Sequence, residues 1–148
     1  GHAYQLLHAP DNIGQKALEE LVKEPVVKNA LDVIEKTSII IHSIGNAFEM
    51  AERRKSSKEV LEVLNEKKAV SESFGSYFDE NGSEIFKTST IGMSFKDVNG
   101  IDNVFTIVGG DAKADAVYSY LNTNPANATL IIDEAICKKI IKKVNKNF

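Results

Sequence analysis

Residues 104–113 read Val104-Phe105-Thr106-Ile107-Val108-Gly109-Gly110-Asp111-Ala112-Lys113 and decide the fold class. An apolar, largely β-branched run ends at two glycines, and an acidic residue then opens a helical pattern that extends through Leu121. A buried strand, a sharp turn and a helix N-terminus in this order are typical of one unit of a parallel α/β sheet.

The same order occurs earlier in the chain. Residues Ser38 to His42 form a continuous β-branched run, which predicts a strand buried on both faces. Gly45 closes that run, and Asn46 is expected to cap a helix that ends at about Arg54.

A third unit completes the pattern, since Ala128 to Ile132 reads as a strand and Asp133 opens a last helix through about Val144. We therefore predict one α/β domain over residues 1–148, with a Rossmann-like, mostly parallel sheet and helices on both faces.

Other segments predict the remaining elements. Two strand pieces, a turn with the Asn-Gly signal and a returning strand indicate an inserted β-hairpin. The predicted elements are a strand over Tyr4 to His8 that breaks at Pro10 and Asp11, helices over Ile13 to Lys23, from Pro25 and from Ser57, strand pieces Val70 to Phe74 and Ser76 to Phe78, the turn Asp79 to Gly82, and the return Glu84 to Thr88.

Composition excludes several classes of protein. With 148 residues, 43% hydrophobic and 26% charged, the chain is typical of an ordinary globular domain rather than a disordered one. A net charge of -3 argues against a nucleic-acid-binding surface, which is normally basic. The single cysteine, Cys137, excludes an intramolecular disulfide. No apolar run reaches the length of a membrane span and no signal peptide is visible, so we expect a cytoplasmic protein.

Ligands of open α/β sheets bind at the carboxyl ends of the strands, and the Gly109-Gly110 turn is the most specific such end here. Two glycines allow close backbone approach, and Lys113 in the first helical turn is electrostatically unfavourable without an anion. The pattern favours a phosphate or another anion, although a tight turn with a solvated lysine explains it as well. The spacing of a Walker A loop is absent.

Further candidates lie near the other strand ends. Arg53 and Arg54 end a helix, where cations offset its negative pole, and Arg53 matters only if the sheet brings it beside Lys113. Glu72 interrupts a strand beside Phe74, so either a sugar hydroxyl or an internal ion pair is its expected partner. Asp133 also fits a simple helix cap.

The sequence gives little support for catalysis. His8 and His42 lie in apolar strand patterns, which favours satisfied core or interface histidines over acid–base groups. No metal-ligand spacing occurs, and no local motif supplies a nucleophile with its base. An enzyme therefore remains only the alternative to a binding domain, and no cofactor is expected.

Seven stretches together carry a family resemblance. In chain order they are Tyr4 to Asp11, Ile41 to Ala47, Met50 to Arg54, Ala69 to Phe78, Ile91 to Met93, Val108 to Ala116 and Ile132 to Ala135. Taken in this order and spacing, they resemble the effector-binding domain of SorC/DeoR-type transcription regulators, and in particular their glycolytic subgroup.

The resemblance implies a fold related to the sugar-phosphate isomerases and a non-catalytic domain that binds a phosphorylated sugar. In the glycolytic subgroup that sugar is fructose-1,6-bisphosphate, and its binding changes how an oligomeric repressor holds its operator. Carried over by motif, Arg53 and Lys113 would bind phosphate and Glu72 would receive sugar hydroxyls. The other residues expected to line the pocket are Gly109 and Gly110, through their backbone, and Gly45, Asp133 and Phe74.

The sequence also departs from this family. Its regulators begin with a helix-turn-helix domain that contacts DNA, and nothing here corresponds to it. The effector domain normally starts earlier, with a strand and two further ligand-binding loops. We therefore expect a chain truncated at its amino-terminal end. A sugar-phosphate isomerase-type enzyme, with His42 and Glu72 as acid–base groups, is the alternative function.

Overall fold

A computed structural model describes residues 3–10 and 13–146. The chain alternates helices and strands and ends in a 13-residue helix. The helices are α1 (Gln15–Leu21), α2 (Pro25–Glu35), α3 (Ala47–Arg53), α4 (Lys58–Glu66), α5 (Phe95–Val98), α6 (Ala114–Asn122) and α7 (Glu134–Lys146), with a 3-10 turn at Asp111–Lys113 before α6. The strands are β1 (Ile39–His42), β2 (Gly45–Asn46), β3 (Ser71–Ser73), β4 (Ser76–Phe78), β5 (Glu84–Lys87), β6 (Asn103–Val108) and β7 (Ala128–Ile132).

Three strands form a parallel sheet in the order β1-β6-β7. Ile40 pairs with Val104, and Val108 pairs with Ile132, so all three strands run toward one edge. The predicted α/β class with a parallel sheet flanked by helices is confirmed. Helices α6 and α7, which follow β6 and β7, contact each other.

The remaining four strands form a separate antiparallel sheet in the order β2-β3-β4-β5. The predicted hairpin is present as β4 and β5, and it is extended by two further strands. The β3–β4 connection is a two-residue turn in which Phe74 and Gly75 both have positive φ, 51° and 79°. Such a turn matches the twist of the strands, although it normally contains Asn-Gly rather than a phenylalanine.

The core lies between the inner faces of the two sheets and helices α5, α6 and α7. Val108 and Ile132 of the parallel sheet pack with Val117 of α6 and Ile136 of α7, and both Val117 and Ile136 are completely buried. A second cluster joins α3 and α4 to the antiparallel sheet around Leu64. The carboxyl ends of β6 and β7 are therefore held in place by their packing against α6 and α7.

The prediction that the first strand is buried on both faces is wrong. Within β1, Ile40 is buried, whereas Ile39 and Ile41 are 58% and 70% exposed. Ile107 and Ile131, on the same face of the neighbouring strands, are also exposed. The β-branched run reflects a strand of a parallel sheet, but in the described part of the chain its outer face carries no covering layer.

The prediction of a strand over Tyr4 to His8 is also wrong. This segment has no regular structure, and Tyr4 is 85% exposed. A short apolar run becomes a strand only where another strand offers backbone hydrogen bonds, and none lies beside it among the described residues. His8 is consequently exposed rather than part of a core. Asp11, the second half of the predicted break, lies outside the described residues.

Candidate functional site

The carboxyl ends of β1, β6 and β7 meet at one edge of the parallel sheet. Because the strands are parallel and in register, Ser43-Ile44, Gly109-Gly110 and Asp133 all follow this edge. The 3-10 turn that precedes α6 starts here, as does α7. This is the position at which open α/β sheets bind ligands.

Lys113 reaches across this edge to the end of β1. Its Nζ donates a hydrogen bond of 3.3 Å to the carbonyl oxygen of Ile44 and lies 4.0 Å from Oε2 of Glu49. Glu49 is more than half exposed, so this ion pair is weak and screened by water. Lys113 is therefore only weakly held by Glu49.

Gly45 directly follows Ile44, the residue that Lys113 contacts, and it is the cross-strand partner of Glu72 in the β2–β3 pair. A Cβ atom at Gly45 would overlap the side chain of Met50 and would lie 3.4 Å from Oε2 of Glu72. A side chain at Gly45 would therefore require Met50 to move, and the backbone of Gly45 passes close to the buried Glu72 carboxylate.

The other carboxylate oxygen of Glu72 is fully engaged. Oε1 accepts a hydrogen bond of 3.0 Å from the guanidinium of Arg54 and one of 2.7 Å from the backbone N–H of Gly75. Arg54 also donates to the hydroxyl of Tyr77 at 3.2 Å. Burial lowers the pKa of Arg54, but attraction to Glu72 and these hydrogen bonds raise it, and the net direction is upward. Of the two partners that the sequence left open for Glu72, the structure contains the ion pair.

Sequence reasoning selected Arg53 and missed Arg54. Arg53 is exposed, and no described contact ties it to the sheet edge, so its expected phosphate role stays a prediction. The helix pattern distinguishes the two arginines: Ala47 and Ala51 are buried and four residues apart, and Arg54 follows Ala51 by three, spacings that share one helix face. Helical phase therefore directs Arg54 inward and Arg53 to solvent.

Asp133 ties two strand ends together. Its Oδ2 accepts a hydrogen bond from the N–H of Gly110 at 2.6 Å, and its Oδ1 accepts one from the N–H of Ile136 in the first turn of α7 at 2.9 Å. Gly110 has φ of 92°, a conformation that side chains rarely adopt. The predicted helix cap is confirmed, and the same carboxylate also holds the glycine turn.

We expect the stability contribution of Asp133 to disappear in acid. The hydrogen bonds from Ile136 and then Gly110 lower the pKa of Asp133 below its ordinary value of 3.8. A carboxyl with a depressed folded-state pKa stabilises the fold above its unfolded pKa, and this contribution is lost as the pH falls through the folded pKa. In urea unfolding, wild type should exceed Asp133→Asn in stability at pH 7, and the difference should shrink below pH 4. A pH-independent difference would contradict this.

His42 is half-buried and both its ring nitrogens have hydrogen-bond partners, in line with the satisfied histidine that its pattern favours. Nδ1 lies 3.2 Å from the carbonyl oxygen of Ser43 and is therefore the protonated nitrogen, while Nε2 accepts from the hydroxyl of Thr106 at 2.8 Å. Burial lowers the pKa of His42, against the smaller opposing effect of the bond to Ser43. The ring of Phe74 packs against it at 4.9 Å between centroids. Phe74, in the β3–β4 turn, thus packs against the last residue of β1.

The structure therefore brings together seven of the eight predicted residues. They are Gly45, Glu72 and Lys113 around the end of β1, Gly109, Gly110 and Asp133 at the ends of β6 and β7, and Phe74 beneath His42. Arg53 is not placed with them. Within residues 3–10 and 13–146, no group of three acidic, histidine or cysteine residues could hold a metal ion, and no helix is long and apolar enough to cross a membrane.

Comparison with known proteins places this arrangement in a family. Residues 1–142 match the family described as "Putative sugar-binding domain". The chain belongs to this sugar-binding domain family. The central glycolytic genes regulator of Bacillus subtilis (strain 168) is 35% identical over 139 residues, which are 94% of this chain and 41% of that protein. The regulator of the same name from Priestia megaterium is 34% identical over 96% of this chain and 41% of its own length.

Solved structures agree with this assignment. A SorC family transcriptional regulator from Enterococcus faecalis superimposes with a TM-score of 0.85 and 37% identity, covering 91% of this chain and 55% of that one. A DeoR family regulator from Listeria monocytogenes, 21% identical with a TM-score of 0.75, shares the fold. This sugar-binding domain chain thus spans about two fifths of the curated relatives and little more than half of the solved chains.

Proposed function

We propose that this chain is the ligand-sensing part of a transcription repressor of sugar or glycolytic genes. It binds a phosphorylated sugar such as fructose-1,6-bisphosphate, and binding alters how the full-length oligomer holds its operator DNA through a separate helix-turn-helix domain. The names of the two curated relatives and the family match support the regulatory role.

The observation that carries the proposal is that Lys113 and Glu72 both contact the chain where β1 leads into β2. Lys113 bonds to the carbonyl of Ile44, and Glu72 pairs with the following residue, Gly45. The ammonium group of Lys113 provides a charge-assisted contact for a phosphate, and the Oε2 oxygen of Glu72 provides an acceptor for a hydroxyl group. Gly109, Gly110 and Asp133 border the same edge, and Arg53 is the further phosphate contact proposed by motif. A cation beside a fixed carboxylate selects a ligand that carries both a phosphate and hydroxyl groups.

A sensor needs differential affinity between two states of the protein but no chemical step. The isomerase alternative would require a free acid–base group at this edge. His42, one of the two candidate acid–base groups, has both ring nitrogens committed to Ser43 and Thr106. These contacts favour binding over turnover.

Calorimetric titration of the chain with fructose-1,6-bisphosphate, with unphosphorylated fructose as the control, tests the proposal. Saturable heat with the bisphosphate alone supports it. The absence of heat with the bisphosphate, or equal heat with fructose, would contradict a phosphosugar sensor. Product assays with fructose-6-phosphate and glucosamine-6-phosphate accompany the titration, and measurable turnover would favour the isomerase alternative.

A further inference from the structure

We propose that Arg54 is a positioning residue that fixes the Glu72 carboxylate for the hydroxyl groups of the ligand, without touching the ligand itself. The inference rests on the proposed function of the same site. It assigns different roles to the adjacent arginines: Arg53 is proposed as a phosphate contact, and Arg54 acts through Glu72.

Two hydrogen bonds hold the Glu72 carboxylate in place. Glu72 is 4% exposed, and its Oε1 receives two hydrogen bonds that arrive from Arg54 and from the backbone of Gly75. These two donors hold Oε1 from two different elements and so restrict the movement of the carboxylate. The structure gives Oε2 no hydrogen bond within the described residues, and this oxygen faces Gly45.

The positive charge of Arg54 offsets the negative charge of Glu72. A buried carboxylate near a phosphate ligand would repel it, and both would lose water on binding. The guanidinium at 3.0 Å neutralises Glu72 and so permits an anionic ligand to approach the same edge. Arg54 is itself held by the hydroxyl of Tyr77, which fixes its direction.

The surroundings of Arg54 indicate which variant to use. Arg54 lines a cleft of about 230 Å³ that also includes Thr88, Ser89 and Thr90. A lysine at position 54 keeps the positive charge and can be hydrated from this cleft. It cannot reproduce the planar fork that contacts Glu72 and Tyr77 together. Arg54→Lys is therefore expected to fold while it loosens the carboxylate.

The test compares two probes in the 148-residue chain, fructose-1,6-bisphosphate and inorganic phosphate. We expect Arg54→Lys to weaken binding of the bisphosphate about tenfold and to leave binding of inorganic phosphate unchanged, since phosphate alone makes no use of Glu72. In a Glu72→Gln background, Arg54→Lys should have little further effect, as residues that act through one contact are not additive. Arg53→Met is the comparison, and it should weaken both probes alike.

Amide hydrogen exchange tests the role of Arg54 without any ligand. Hydrogen exchange at the Gly75 amide should be faster in Arg54→Lys than in wild type, because a loosened Glu72 carboxylate protects that N–H less well. Equal losses for both probes, additive effects with Glu72→Gln, or unchanged exchange at Gly75 would each overturn the positioning role. If wild type binds neither probe, the proposed function fails, and the exchange at Gly75 alone decides whether Arg54 positions Glu72.

Discussion

Replacing Lys113 by alanine should weaken binding of a phosphorylated sugar by ten- to a hundredfold while leaving the fold intact. A hydrogen bond to a charged group contributes about 1.5–3 kcal/mol, which corresponds to this range. The side chain is only partly buried, and its two contacts are a 3.3 Å bond to one carbonyl and a 4.0 Å approach to an exposed carboxylate. The fold therefore depends little on it. Calorimetry with fructose-1,6-bisphosphate measures the loss, and thermal unfolding checks the fold.

Lys58→Ala is the matched control, because Lys58 is also a lysine at the start of a helix but is exposed, and no described hydrogen bond or ion pair ties it to the sheet edge. Its affinity for the bisphosphate should equal that of wild type. If Lys113→Ala and Lys58→Ala behave alike, Lys113 is not the phosphate ligand and the anion must bind elsewhere.

Removing the positive charge at position 54 should have the largest effect on stability. Arg54→Met leaves the buried Glu72 without its ionic partner, and breaking such a pair from one side costs about 3–5 kcal/mol. The Arg54→Met/Glu72→Gln double variant should recover most of this loss, since no charge is then left buried without a partner. Urea unfolding of the two single variants and the double variant measures the coupling between the residues.

Arg53→Met provides the baseline for this series. Arg53 occupies the neighbouring position on the same helix but is exposed, so its replacement should change the unfolding free energy by less than about 0.5 kcal/mol. A double variant as unstable as Arg54→Met, or an Arg54→Met chain as stable as Arg53→Met, would show that the pair contributes little to the fold.

Much of this molecule follows from local sequence patterns. The strand over Ala128 to Ile132 and the turn at Asp79 to Gly82 were predicted at their positions, because β-branched runs and Asn-Gly pairs are strong local signals. The site residues after the strands followed from topology, since parallel strands bring distant turns to one edge.

Two failures have a common physical cause. The run from Tyr4 to His8 lacks a pairing partner, and Ile41 lacks a covering layer, and both depend on what lies beside the segment rather than within it. The choice between Arg53 and Arg54 was different in kind. The family motif points to Arg53, whereas the helical phase set by the buried Ala47 and Ala51 turns Arg54 inward.

The double role of Asp133 has a practical consequence for observing ligand binding. Its carboxylate connects the Gly110 turn to the first turn of α7, and the N–H of Cys137 bonds to its backbone carbonyl at 3.1 Å. Cys137 is exposed and is the only cysteine of the sequence. An environment-sensitive fluorophore attached to this thiol would thus lie one helical turn from Asp133, the residue that bonds to the Gly110 turn. A ligand that displaces this turn would change the emission of the fluorophore without any engineered label site.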